Sequence, residues 1–131
     1  MQVRDQLYIN GLWVTPKGGK SIDVINASTE AIMGRIPEGT PADVDAAVAA
    51  ARAAFDGWAA RPAAERAGFL QKIHEGLKAR MEEIGQLIAG EVGMPVKLAT
   101  MIQARSPTAT FGMYANMLGT FPLAEKVGNS A

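Results

Sequence analysis

The sequence contains no cysteine. That excludes disulfides, a Cys-x-x-Cys metal site and a cysteine nucleophile within these 131 residues. There is one histidine, so no pair of imidazoles can share a zinc ion. A surplus of either charge is also missing, since 13 basic side chains balance 13 acidic ones. Nucleic acid is therefore not expected as the main partner, because phosphate binding draws on a basic excess. No apolar run approaches the roughly 18 residues of a membrane span. The opening stretch MQVRDQLYING lacks the apolar core of a secretory signal. A cytoplasmic protein with no membrane partner is the expectation. Neither GxGxxG nor GxSxG occurs, so the two commonest glycine-marked active-site turns cannot be read here.

What remains is 48% hydrophobic and 20% charged, enough for one globular unit with a core. The chain has two textures, which together give an α+β fold class. Residues about 7–39 read as a β-hairpin and short strands. Asn10-Gly11 sits between hydrophobic residues in LYINGLWV and is the favoured pair for a two-residue hairpin turn. SIDVINAST alternates through Ile22, Val24 and Asn26, and AIMGRIPEG through Ile32, Gly34 and Ile36, the period of a strand. Three helical segments follow, at about 41–60, 62–92 and 107–120. The first opens with Thr40 as N-cap, Pro41 at the first helical position and Asp43 in the first turn. Val44, Val48, Ala51, Phe55 and Trp58 then recur at helical spacing. The second carries one apolar stripe through Leu70, Ile73, Leu77, Ile84 and Leu87, with Lys78 and Glu82 on its outer surface. For the third, Ser106-Pro107 suits an N-cap and first residue, with a short helix or loop over 96–105 before it. Its apolar positions are Phe111, Met113, Met117 and Leu118.

Few residues offer chemistry. His74 borders the apolar stripe, and Glu75 and Lys78 nearby make no dyad with it, so a structural role is preferred to a general base. Glu82 and Glu83 are adjacent on a helix and point about 100° apart, which does not present two carboxylates to one substrate. KGGK at 17–20 lacks the strand-to-helix context of a phosphate loop and reads as a turn. Glu91, in IAGEVGMP, is the odd residue. Gly93 and Pro95 close the helix there, and a carboxylate is disfavoured at the negative end of a helix. Two readings stay open: a surface or ion-paired carboxylate, or a hard-oxygen cation site built with the unpartnered last-turn carbonyls.

Several stretches together resemble the N-terminal region of the NAD(P)-dependent aldehyde dehydrogenase superfamily. LYINGLWV is similar to its opening hairpin, and VINASTEAIMGRIPEGTPADVDAAVAAARAAFDGWAA to its second and third strands running into the first helix. RPAAERAGFLQKIHEGLKARMEEIGQLIAGEVGMP is similar to its long second helix with the family's Glu-x-Gly-x-Pro ending. YANML and the tail EKVGNSA fall where the third helix leads towards an oligomerisation strand. The resemblance runs from about Leu7 to Ala131.

The resemblance implies that residues 1–131 are a single N-terminal segment, which in the parent belongs to an α/β aldehyde dehydrogenase fold. The Rossmann core, the Asn-Phe-Pro motif, the general-base glutamate and the nucleophilic cysteine lie further along the family's chains. In the intact enzyme a thiolate attacks an aldehyde, hydride passes to NAD or NADP, and an activated water releases a carboxylic acid. No catalytic or cofactor-binding residue is assigned here, and the isolated chain is expected to be inactive and without cofactor. Its implied partners are the remainder of the chain and further copies in a homo-oligomer. The resemblance also implies a structural Na+ or K+ held by Glu91 and the carbonyls of Val24 and Ile25. It places the Gln103 to Thr110 region near the substrate entrance. The competing reading is a stand-alone, non-catalytic interaction or assembly module derived from the same fold.

Overall fold

A computed structural model of the chain describes residues 2–125 and 127–128. The strands are β1 Gln2–Val3, β2 Leu7–Ile9, β3 Leu12–Val14, β4 Ser21–Ile25 and β5 Ile32–Pro37. The helices are α1 Pro41–Ala59, α2 Ala63–Ala79, α3 Met81–Val92, α4 Val96–Leu98 and α5 Arg105–Leu118, with a π-helical turn at Ala99–Ala104 between the last two. Strands and then helices make the expected α+β arrangement.

The strands form two separate sheets. β2 and β3 are a hairpin in the register Leu7↔Val14, Tyr8↔Trp13 and Ile9↔Leu12. Its turn puts Asn10 at φ 53° and Gly11 at φ 78°, the two left-handed positions that Asn-Gly tolerates. The second sheet has the order β1-β5-β4, with β1 parallel and β4 antiparallel to β5. β1 is too short to carry a sequence period, which is why periodicity did not reveal it. A bulge interrupts the β4–β5 register between Val24 and Ile25.

Thr40 caps α1 as the sequence predicts. The Asp43 amide donates to Thr40 Oγ1 at 3.3 Å and the Thr40 amide to Asp43 Oδ2 at 2.9 Å, a reciprocal box. The Lys17 amide also donates to Asp43, at 3.3 Å to Oδ1. Gly18 lets this loop lie close, since a Cβ there would stand 2.6 Å from Thr40 Cγ2. KGGK is thus a loop docked on the start of α1.

Two sequence expectations are corrected. The single helix over 62–92 is broken at Arg80, which has φ −110° and ψ 14°. Its amide donates to the Leu77 and Lys78 carbonyls, a tightened final turn of α2. The break lets the two halves meet different neighbours: α2 runs along α5, while α3 packs on the π turn. Lys78 and Glu82 flank the break, are both exposed as expected, and line one open cavity. The second correction is at 96–107. The segment is helical, and α5 begins at Arg105, so Ser106-Pro107 lies inside the first turn and is no cap. A proline there removes a donor and crowds the carbonyl four residues back. The wider π turn directly upstream accommodates both demands.

The core is thin and made of small groups. Ala89, Ala99, Ala104, Ala115 and Thr108 are buried. At Gly85 an added Cβ would lie 2.2 Å from Thr100 Oγ1, so α3 and the π turn touch almost backbone to backbone. On α5, Phe111 and Leu118 are half-buried, whereas Met113 and Met117 face outwards. The apolar face of α1 is uncovered: Val48 is 62% and Phe55 57% exposed. Tyr8, Leu12 and Trp13 of the hairpin are likewise exposed. The total accessible surface is 9689 Å², against about 6,600 Å² expected for a self-contained 13.8 kDa monomer.

Candidate functional site

Glu91 stands in the last turn of α3, which closes at Gly93 with φ 71°. The turn is held against the β4–β5 connection. The Ala27 amide donates to the Gly90 carbonyl at 2.9 Å, and the Gly93 amide to the Ala89 carbonyl at 3.0 Å. Two of the last-turn carbonyls expected to be free are therefore already satisfied, because the strand connection supplies one donor and the αL cap the other. The Glu91 carbonyl differs. The residue four ahead of it is Pro95, which has no N–H to give. Gly90 permits the close approach, since a Cβ there would lie 3.2 Å from Met33 Cε.

Glu91 and Val24 line one cleft of about 340 Å³ between the three-stranded sheet and α3, together with Arg4, Met33, Arg35 and Leu87. Ile25 does not line it. It sits at the bulge next to Val24, on the edge strand of the sheet. The charges in the cleft are mixed. Arg35 is paired with Asp23, whose hydrogen bond and charge raise the guanidinium pKa. Arg4 brings a second guanidinium to the same walls as Glu91. Glu91 is the one acidic residue among the lining residues, beside the two arginines. Among the described residues no group of three or more His, Asp or Glu side chains lies close enough to hold a metal.

A second cavity, of about 440 Å³, lies between α2, the start of α3, the π turn and α5. His74, Lys78, Glu82, Thr100, Arg105 and Thr108 are among its walls. His74 Nδ1 lies 2.8 Å from the Thr108 carbonyl, so Nδ1 carries the proton and donates. The imidazole ties α2 to α5, and Gly112 gives it room, since a Cβ there would be 2.9 Å from Nδ1. This is the structural role read from the sequence. Glu82 faces this cavity, whereas Glu83 turns away to a two-pronged pair with Arg80, at 2.7 and 2.8 Å. The hydrogen bond from Arg80 lowers the Glu83 pKa.

The Gln103 to Thr110 segment spans the end of the π turn and the first turns of α5. Its threonine hydroxyls turn back on their own helix, Thr108 to the Ala104 carbonyl at 2.8 Å and Thr110 to that of Ser106 at 3.0 Å. Sequence reasoning missed the cavity beside them, because its walls come from four elements that only the fold brings together. Of the tail EKVGNSA, Lys126 and residues 129–131 lie outside the described residues.

Comparison with known proteins gives a consistent result. The profile described as "Aldehyde dehydrogenase family" matches residues 13–129. A 3-succinoylsemialdehyde-pyridine dehydrogenase of a Pseudomonas species is 38% identical over 126 residues, which are 95% of this chain and 26% of that protein. The lactaldehyde dehydrogenase of Escherichia coli K12 is 44% identical over 97 residues, 74% of this chain and 20% of the relative. Among solved structures, an aldehyde dehydrogenase from Bartonella henselae superposes with a TM-score of 0.91 at 30% identity, over 100% of this chain and 28% of the other. A mutant of aldehyde dehydrogenase C from Pseudomonas syringae, in complex with NAD+ and octanal, gives 0.90 at 35% identity, over 95% and 26%. The chain spans about a quarter of the length of the proteins it matches most fully.

Proposed function

The chain belongs to the aldehyde dehydrogenase family, and from that premise we propose that it is the N-terminal segment of a longer, cytoplasmic, NAD- or NADP-dependent enzyme that oxidises an aldehyde to a carboxylic acid. By itself it performs no oxidation. The Rossmann core and the catalytic domain belong to the rest of that enzyme, which is the first partner of this segment. Further copies complete a homo-oligomer. The observation that carries this reading is the uncovered apolar face of α1, from Val44 and Val48 to Phe55. A face at strict helical spacing is built to be buried, and nothing among the described residues buries it. The family relationship supplies the chemistry to expect of the whole. The share of each relative that is matched supplies the expectation of missing parts.

Two measurements test it. The native reading frame should continue past Ala131 through a nucleotide-binding turn and a downstream cysteine. A stop codon directly after Ala131 would instead favour the stand-alone assembly module. The purified 131-residue chain should produce no NADH or NADPH signal with aldehydes, and turnover above background would end the claim of inactivity.

A second proposal concerns Glu91. We read it, with the Val24 and Ile25 carbonyls, as part of a site for Na+ or K+. Support comes from the cleft shared by Glu91 and Val24, and from the carbonyl that Pro95 leaves without its helical donor. The ion would supply structural cross-linking between strand and helix. Potassium or sodium chloride should raise the melting temperature above that in choline chloride at equal ionic strength. Glu91→Gln should abolish the difference. Equal melting temperatures for the unaltered chain in all three salts would sink the idea and leave Glu91 as a surface carboxylate.

A further inference from the structure

Four asparagines occur in the sequence, at positions 10, 26, 116 and 129. Asn129 lies outside the described residues. The other three differ sharply in how free their local chemistry is, and from that difference we infer that Asn10 is a spontaneous deamidation site, converting to aspartate and isoaspartate ahead of Asn26 and Asn116.

The reaction needs a free side-chain carboxamide and a free backbone nitrogen on the following residue. The Gly11 nitrogen gives up its proton to base and attacks Asn10 Cγ. A nitrogen–carbon bond forms, the Cγ–Nδ2 bond breaks, and the side-chain nitrogen leaves as ammonia. Water then opens the cyclic imide at either carbonyl. One opening leaves aspartate, and the other leaves isoaspartate, with the main chain running through the former side chain. Nothing is oxidised or reduced, and water is the only co-reactant.

Asn10 and Gly11 are both exposed, and a Cβ placed on Gly11 would meet nothing within 4 Å. Among the described residues the Asn10 side chain makes no hydrogen bond, and glycine puts no side chain beside the attacking nitrogen. Asn26 is held on both counts. Its Oδ1 accepts from the amides of Ser28 at 2.9 Å and Thr29 at 3.1 Å. The nitrogen that would attack it, that of Ala27, is committed to the Gly90 carbonyl at 2.9 Å. Asn116 lies within α5, where the next residue is Met117.

The closed turn slows the step at Asn10 without preventing it. Its left-handed backbone at φ 53° must rotate before Gly11 can reach Cγ, so conversion runs from the opened hairpin. That hairpin has three residue pairs, forms a sheet of its own and leaves Tyr8, Leu12 and Trp13 exposed. Two strands with so little support open readily. Isoaspartate lengthens the main chain at the turn, where two residues must close it, and the Ile9↔Leu12 pair cannot then reform in register.

The test is to hold the full chain at mildly alkaline pH and follow tryptic peptides with time. Cleavage after Arg4 and Lys17 isolates Asn10 in one peptide. The expected result is acid forms in that peptide first, including isoaspartate, while the Asn26 and Asn116 peptides stay amidated. Each event adds one negative charge, so an isoform should appear on the acidic side of the unaltered chain in isoelectric focusing. The same chain in urea should convert faster at position 10, since the turn is already open. Asn10→Gly keeps a turn-compatible Gly-Gly pair and should lose the acidic isoform. A folded chain that keeps its Asn10 amide while the urea-unfolded chain converts would overturn the proposal. Earlier conversion at Asn26 or Asn116 would overturn it too.

Discussion

Asp43 shows how one carboxylate can serve three donors from two residues. The hydrogen bond from the Thr40 hydroxyl, at 2.7 Å, and that from the Thr40 amide hold its carboxyl below the usual aspartate range, against the opposing effect of burial. The Lys17 amide adds to the same effect. A group whose folded pKa is depressed binds its proton less readily than in the unfolded chain. Its contribution is therefore present above the unfolded value of about 3.9 and fades as pH falls through the folded one. Urea midpoints measured across that acid range should fall for the unaltered chain and vary less for Asp43→Asn. The cap was legible, because Thr-Pro-x-Asp is a local code. The contact with Lys17 was not, because it joins residues 26 apart in the chain. Gly85 was equally opaque. Nothing beside it in sequence announces that Thr100 will press on its Cα. Gly85→Ala should cost about 1–3 kcal/mol, as overpacking does, and a shift in the urea midpoint at unchanged slope would measure it.

Among the longer helices, α1 is the one with least tertiary support. It meets β2 and, through Trp58, the ring of Phe69 at 5.4 Å. α2 and α5 pack along each other instead. Amide exchange should therefore be fastest in α1 and slowest along the α2–α5 contact, and equal protection across the three would contradict this account. α1 was the easiest helix to read, with its cap, proline and apolar spacing, yet reading a helix says nothing of what covers it. The breaks were harder. The stripe through Leu70, Ile73, Leu77, Ile84 and Leu87 misses one step, at Arg80, but a single polar residue in an apolar stripe does not by itself show that the backbone turns there. The π turn likewise has no residue code of its own. Pro107 hinted that something must give, but the relief came upstream and not in a fresh start at Ser106.

At the scale of the molecule, hydrophobic patterning specified which faces ought to be apolar, and the described residues leave many of those faces bare. The resemblance of the whole chain to one family was legible because hairpin, strands, cap and Glu-x-Gly-x-Pro ending occur in order. Of the residues named for the proposed cation site, Glu91 and Val24 share a cleft and Ile25 does not line it; the arginines beside them were not legible, since Arg35 is placed by strand pairing and Arg4 by the hydrogen bond of its amide to the Arg35 carbonyl. A chain that exposes so much apolar surface should associate with itself. Its melting temperature should then climb with protein concentration, and a midpoint independent of concentration would speak for a self-sufficient monomer. The excess of accessible surface has one more consequence, in calorimetry. The heat capacity of unfolding follows the apolar surface that unfolding newly exposes. Much of that surface already meets water in this chain, so the increment should fall below the usual ~12–15 cal/mol/K per residue. The stability curve would then be shallow, and cooling or warming the protein would change its stability far less than for a protein of the same length with a closed core.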